Sequence, residues 1–163
     1  MGRLRFLALA LALLVHLAAY LPSLPNAFVF DDHTMVEGRP EVTGQAPLRE
    51  VFLRPWFHEN QVGAAVAYRP VARLSLGLDV RAFGLDPLPL RLGNLLWGAL
   101  GAALLGLLVV EVGAPAVVAD VVVVLFSAHP ARSDVLLGIV GRAELLSFAA
   151  VAGALLLALR SAK

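Results

Sequence analysis

An all-α integral membrane protein, with about four transmembrane helices and a helical outer loop, is the fold class this sequence predicts. Composition is the first reason: 60% of the 163 residues are hydrophobic and 15% charged, where soluble domains carry about 25% charged residues. The second is that the apolar residues come in charge-free runs, which suit a bilayer better than a globular core. The third is charge placement, because Arg3 and Arg5 precede the first run and Arg160 and Lys163 close the last one. Basic residues favour the inner side, and four crossings return the chain to the side on which it began.

The first span is expected over residues 4–21, where no charge follows Arg5. A helix over residues 6–21 is about 24 Å long, close to the hydrocarbon thickness. A basic start before an apolar run also fits a cleaved signal peptide, but no clean small-x-small site precedes Pro22, so an uncleaved anchor is expected. Residues 92–110 are charge-free and form the clearest span. A tight turn ending in Pro115 leads to a third span over residues 115–128, roughly 20 Å long and in need of its flanking residues. The fourth span is residues 145–159.

Residues 22–91 then form the outer loop, on the lumenal or periplasmic side. It holds seven arginines and eight carboxylates, and at this length the charge rule loses force. Residues 47–57 (PLREVFLRPWF) read as a short amphipathic helix ending at Pro55. In residues 71–83, Val71, Leu74, Leu78, Val80 and Phe83 fall near one helical face, placed on the membrane surface or against the bundle.

Several function classes are excluded. There is no cysteine, so disulfides, thiolate metal sites and thiol nucleophiles are absent. A net charge of +1 with both signs interspersed makes no case for nucleic acid. No phosphate-binding glycine loop, dinucleotide fingerprint, HExxH or GxSxG occurs.

The polar residues that remain gather, by the parity of crossings, on the outer side. Asp31 and Asp32 admit a general base with an electrostatic partner, a pair of metal ligands, or a solvated turn capped by Asp32. Adjacent acids raise one another's pKa, which favours proton acceptance. Arg69, in Tyr-Arg-Pro, offers a fork for phosphate oxygens or a side chain snorkelling to headgroups. His129 precedes Pro130 as a base, a donor or a helix stop. Ser133 and Asp134 resemble a helix start. An unbroken helix from Asp134 to Leu159 would be about 39 Å long, so a break near Gly141 or an overhang is expected, with Arg142 and Glu144 reaching water or a cavity. Asp120 falls mid-span and calls for a partner such as Asn94 or His16.

NAFVFDD after the first span, YRPV in the outer loop, RLGNLLW at the second span and LFSAHPARSDVLLGIVGRAELL together resemble the transmembrane-and-TPR protein O-mannosyltransferases. The similarity covers roughly residues 20–160, in the same order and spacing. What it implies is the N-terminal half of a GT-C-type membrane glycosyltransferase, in the endoplasmic reticulum of a eukaryote or the inner membrane of a bacterium. Such enzymes pass a sugar, mannose in this family, from a polyprenyl-phosphate to serine or threonine hydroxyls of a protein acceptor. By that resemblance Asp31 and Asp32 are the catalytic carboxylates, Arg69 and Arg142 the donor-phosphate candidates, and His129, Asp134 and Glu144 the cavity-lining candidates. No metal ligand set and no cofactor beyond the lipid-linked donor are assigned. Asp134 stands where the family typically has glutamate. Family members continue into further spans and a TPR array, so a fragment needing a partner chain for the missing helices is expected. A non-catalytic membrane module that anchors another chain is the competing function. A small transporter is a third, resting only on Asp120, Asn94 and His16.

Overall fold

In a computed structural model, residues 10, 11, 14, 15, 17–55 and 68–162 are described, and all regular structure among them is helical. Half of the first expected span, residues 4–21, lies outside the described residues, His16 included. The labelled helices are α1 (Pro40–Thr43), α2 (Pro70–Phe83), α3 (Pro87–Glu111), α4 (Ala116–Ala128), α5 (Ser133–Leu137) and α6 (Arg142–Ser161).

Two stretches are long and apolar enough to cross a membrane, Pro87–Glu111 and Ile139–Ser161. A third crossing arises if Ala116–Ala128 and Pro130–Leu137, bent by 58° from each other, form one broken span. Where three spans are expected in this part of the chain, two or three are present.

Local chemistry sets these boundaries. Asp86 caps α3 by accepting the Leu88 N–H at 2.8 Å, and Pro87 takes the first helical position, where its missing N–H is harmless. Gly113, at φ +95, supplies the left-handed turn that ends α3 and admits α4. The residues after α4 do not lengthen it in line, as expected, but turn aside: His129 is extended and Pro130 cannot continue the helix. The expected break near Gly141 is present. Gly138 is extended after α5, and a Cβ at Gly141 would collide with the Val135 carbonyl, so the chain tightens into a 3-10 turn before α6.

α3 packs against α4 and α6. Gly101 leaves room for the Phe148 ring, which stacks on Phe126 with centroids 5.0 Å apart. The Arg132 guanidinium lies 4.1 Å over the Phe126 ring.

The outer segment forms a cap over this end of the bundle. Val36, Val42, Leu76, Val80, Leu90 and Ile139 make one buried cluster, with Phe28 and Val140 packed on it. Burying such side chains stabilises by roughly 1.5–3 kcal/mol each. The expected helix over residues 47–57 is realised as a 3-10 stretch, Leu48–Phe52, and its last two residues lie outside the described ones. α2 forms where expected; of the expected apolar face only Val80 is buried, and the side packed on the protein is made by Ala72, Arg73, Leu76, Gly77 and Val80. Val71, Leu78 and Phe83 are exposed. The cause is polar: Arg73 enters the cap to meet Glu41 at 2.7 Å, with both side chains fully buried.

Candidate active site

The first helical run ends at Tyr20, and a 3-10 turn, Leu21–Ser23, leads into an extended segment towards Asp31. Arg91, in the first turns of α3, fixes that segment. Its Nη2 donates to the Ala27 carbonyl at 2.6 Å, its Nη1 donates to the Asn26 carbonyl, and its Nε donates to the Leu137 carbonyl at 3.2 Å. One buried guanidinium thus joins NAFVFDD to the turn that precedes α6.

Asp32 makes the same connection from the other side. Its Oδ2 accepts the Val29 N–H at 3.3 Å, and its Oδ1 accepts the Val140 N–H at 3.2 Å, 108 residues along the chain. Asp32 is fully buried, whereas Asp31 is exposed. Burial pushes the Asp32 carboxyl above its ordinary range, while the backbone N–H groups of Val29, Val140 and Ile139 and the charge of Arg91 pull it back down. The neighbouring acid, from which the sequence predicts the rise, is not its cause.

Arg142 begins α6 and points inward, only 1% exposed. Its Nε donates to Asn94 Oδ1 at 2.5 Å and its Nη2 to the Leu90 carbonyl at 2.8 Å. Its Nη1 donates to Ser75 Oγ at 2.7 Å and to Asp79 Oδ2 at 2.8 Å. Asn94 in turn donates to the Gly138 and Ile139 carbonyls at 3.0 and 3.3 Å. The guanidinium occupies the space beside Gly93, where a Cβ would clash with Nη2 and lie 3.1 Å from Cζ. This is a correction to the expectation that Arg142 meets a phosphate or water, since its fork is spent on α2 and α3. Asn94 is likewise committed here, so Asp120 does not draw its partner from it.

Arg69 and Glu144 meet at 2.7 Å, both partly exposed. They stand in a groove of about 410 Å³ between the start of α2 and the first turns of α6. Tyr68, Val71, Leu146, Ser147 and Ala150 line it beside the ion pair. The Tyr68 hydroxyl donates to the Phe52 carbonyl at 2.9 Å, which fixes the mouth to the cap. Met35, three residues after Asp32, packs in one cluster with Ala72 and Ala143, and both alanines line the groove. The helical turn that follows the acidic pair therefore packs behind the groove through Met35.

His129 and Asp134 are not among the groove residues. The His129 ring instead accepts the Ala131 N–H at 3.2 Å and caps the turn after α4, while Asp134 is exposed in the first turn of α5. Of the predicted site residues, Asp32, Arg69, Glu144 and Arg142 converge on one end of the bundle, with Asp31 beside them. Arg91, Gly93, Ser75 and Asp79 are the residues sequence reasoning left without roles at this site, and Asn94 was offered as a partner for Asp120. For Arg91, Gly93 and Asn94 the RLGN motif itself is the signal, since a charge and an amide entering an apolar span need buried partners. Among the described residues no three His, Asp or Glu side chains gather as a metal site would require. The arrangement offers an exposed carboxylate at Asp31 and an amphiphilic groove with the Arg69–Glu144 ion pair among its lining residues.

The chain is similar over most of its length to several curated proteins. It is 32% identical over 131 residues to the protein O-mannosyl-transferase Tmtc1 of Drosophila melanogaster, covering 78% of this chain and 15% of that protein. It is 28% identical over 132 residues to the human protein O-mannosyl-transferase TMTC3, covering 80% and 14%. It is 29% identical over 135 residues to the mouse protein O-mannosyl-transferase TMTC2, covering 78% and 16%. The chain thus spans about a sixth of the length of these relatives. No family model and no solved structure matches it.

Proposed function

From a chain related to protein O-mannosyl-transferases, we propose that this membrane segment carries the acidic centre of a glycosyltransferase moving mannose from a polyprenyl-phosphate to serine or threonine hydroxyls. The observation that carries the proposal is the bond from the Val140 N–H to Asp32, which joins the acidic turn to the segment bearing Glu144. Asp31, exposed, accepts the proton of the acceptor hydroxyl. The acceptor's serine or threonine oxygen then bonds to the anomeric carbon, the bond from that carbon to the phosphate oxygen breaks, and the electron pair leaves with the polyprenyl-phosphate. Asp32 holds the turn in place and does not meet the acceptor. Arg69 takes the phosphate as a charged fork, and Glu144 aims it when the groove is empty. The apolar side of the groove, Val71, Leu146 and Ala150, receives the first part of the lipid chain. Arg142 is a strut between α6, α2 and α3.

The test is binding and transfer in nanodiscs, with mannosyl-phosphoryl polyprenol as donor and a Ser/Thr-rich peptide as acceptor. Arg69→Gln should weaken donor binding about tenfold or more, the worth of one charged hydrogen bond. Asp31→Asn should leave that binding intact and abolish transfer. Donor binding unchanged in Arg69→Gln, or transfer unchanged in Asp31→Asn, would remove the assignment and favour a non-catalytic anchoring module.

A further inference from the structure

Phe30 has a backbone that its side chain disfavours. Its φ is +47, and no other non-glycine among the described residues is positive. For a bulky L-residue the left-handed region crowds Cβ against the carbonyl, and such strain persists only where the surroundings over-determine it. Here they do. Arg91 holds the carbonyls of Asn26 and Ala27 on one side. On the other, the Asp32 N–H donates to the Val29 carbonyl at 2.9 Å, the Asp32 carboxylate accepts the Val29 N–H at 3.3 Å, and the His33 N–H donates to the Phe30 carbonyl at 3.3 Å.

The ring contributes nothing to that clamp, because Phe30 is 91% exposed. Glycine would relieve the backbone and a polar residue would relieve the exposure, yet the position carries neither. The left-handed twist immediately precedes two acids of opposite fate. Asp32 turns inward to Val140, while Asp31, the residue that follows Phe30, is exposed like the ring. A flat apolar face one residue away from an exposed carboxylate suits a hexose. The C–H face of the sugar carries slightly positive hydrogens that complement the negative face of an aromatic ring, and the carboxylate is left for proton transfer.

We propose that Phe30 is the platform on which the sugar of the lipid-linked donor stacks, holding its anomeric carbon near Asp31. The proposal rests on the donor reading given above and adds a sugar-contacting residue to it. It is tested in nanodiscs by comparing two probes, a short-chain mannosyl-phosphoryl polyprenol and the same polyprenyl-phosphate without sugar. The ratio of their affinities is the contribution of the sugar. In Phe30→Leu, apolar but not flat, that ratio should shrink by roughly three- to tenfold, the worth of one aromatic contact, while sugarless binding stays unchanged. Phe30→Trp should preserve the ratio. Phe30→Gly, which relaxes the backbone, should keep or raise the thermal midpoint and still lose the sugar contribution. A ratio intact in Phe30→Leu would overturn the platform and assign the ring to lipid contact, leaving the donor reading in place. If the wild-type chain binds neither probe, the donor reading fails and the platform falls with it.

Discussion

Arg142→Met separates a strut from a phosphate ligand. The substitution keeps an unbranched apolar stem but removes the guanidinium and its four donated hydrogen bonds, to Asn94, Ser75, Asp79 and the Leu90 carbonyl. Ser75 and Asp79 are only partly buried and can turn to water. The Leu90 carbonyl and Asn94 Oδ1 cannot, and a buried acceptor left without its donor costs about 1–3 kcal/mol. Two of them give a loss of about 4 kcal/mol. At roughly 2–4 °C per kcal/mol for a domain of this size, the thermal midpoint should fall by about 10 °C. Fluorescence-detected size-exclusion melting in a fixed detergent reads this directly. Gly93 supplies the internal control. A Cβ there presses on the guanidinium, so Gly93→Ala should destabilise the wild type but add little to Arg142→Met, a coupling expected only between touching residues. An unchanged midpoint in Arg142→Met, together with weakened donor binding, would refute the strut and return Arg142 to the phosphate.

Three further predictions follow from buried polar contacts. Because burial raises the Asp32 pKa, the folded state binds that proton more tightly than the unfolded one. The associated stability is complete below about pH 4, the ordinary carboxylate value, and is lost as pH rises through the raised value; the midpoint of wild type relative to Asp32→Asn should therefore decline over that window, and a rise would contradict the burial argument. Glu41→Gln leaves Arg73 as an uncompensated buried charge, which should cost about 3–5 kcal/mol; a melting curve matching wild type would show the pair to be dispensable. Arg91→Ala releases the carbonyls of Asn26, Ala27 and Leu137, so limited proteolysis should cleave the segment before Asp31 at least tenfold faster than in wild type, with equal rates counting against the clamp.

The two long spans, Pro87–Glu111 and Ile139–Ser161, were legible because charge-free length is nearly sufficient to specify a membrane helix. The break near Gly141 followed from arithmetic, since 39 Å of helix exceeds the hydrocarbon core. The buried face of α2 was not legible. Hydrophobic periodicity locates a buried face when the alternative is water, but beside a bilayer an apolar stripe can face outward. Val71, Leu78 and Phe83 are left exposed, and the inward face is chosen by Arg73 seeking Glu41 and by Gly77 admitting the Leu48 side chain. Nor was the direction of Arg142 legible. Its carboxylate partner Asp79 lies 63 residues away on a helix expected either on the membrane surface or against the bundle, and no local pattern marks such a pair.

The division of labour between Asp31 and Asp32 follows from the same constraint. An acidic dyad read from sequence suggests two carboxylates sharing a proton, each raising the other. Here the two side chains diverge directly after the left-handed Phe30, Asp31 to solvent and Asp32 into the protein, where the Val29 and Val140 N–H groups hold it. Asp32 gains bonds that hold two distant segments together, and a carboxylate occupied in that way is poorly placed to collect a proton from an incoming hydroxyl. In the proposed reaction that task falls to Asp31, whose exposed side chain is left out of the anchorage its neighbour supplies. A change at Asp32 should consequently reach chemistry only through the position of the turn, whereas a change at Asp31 should reach it with the fold intact. This asymmetry is what geometry adds to the sequence motif.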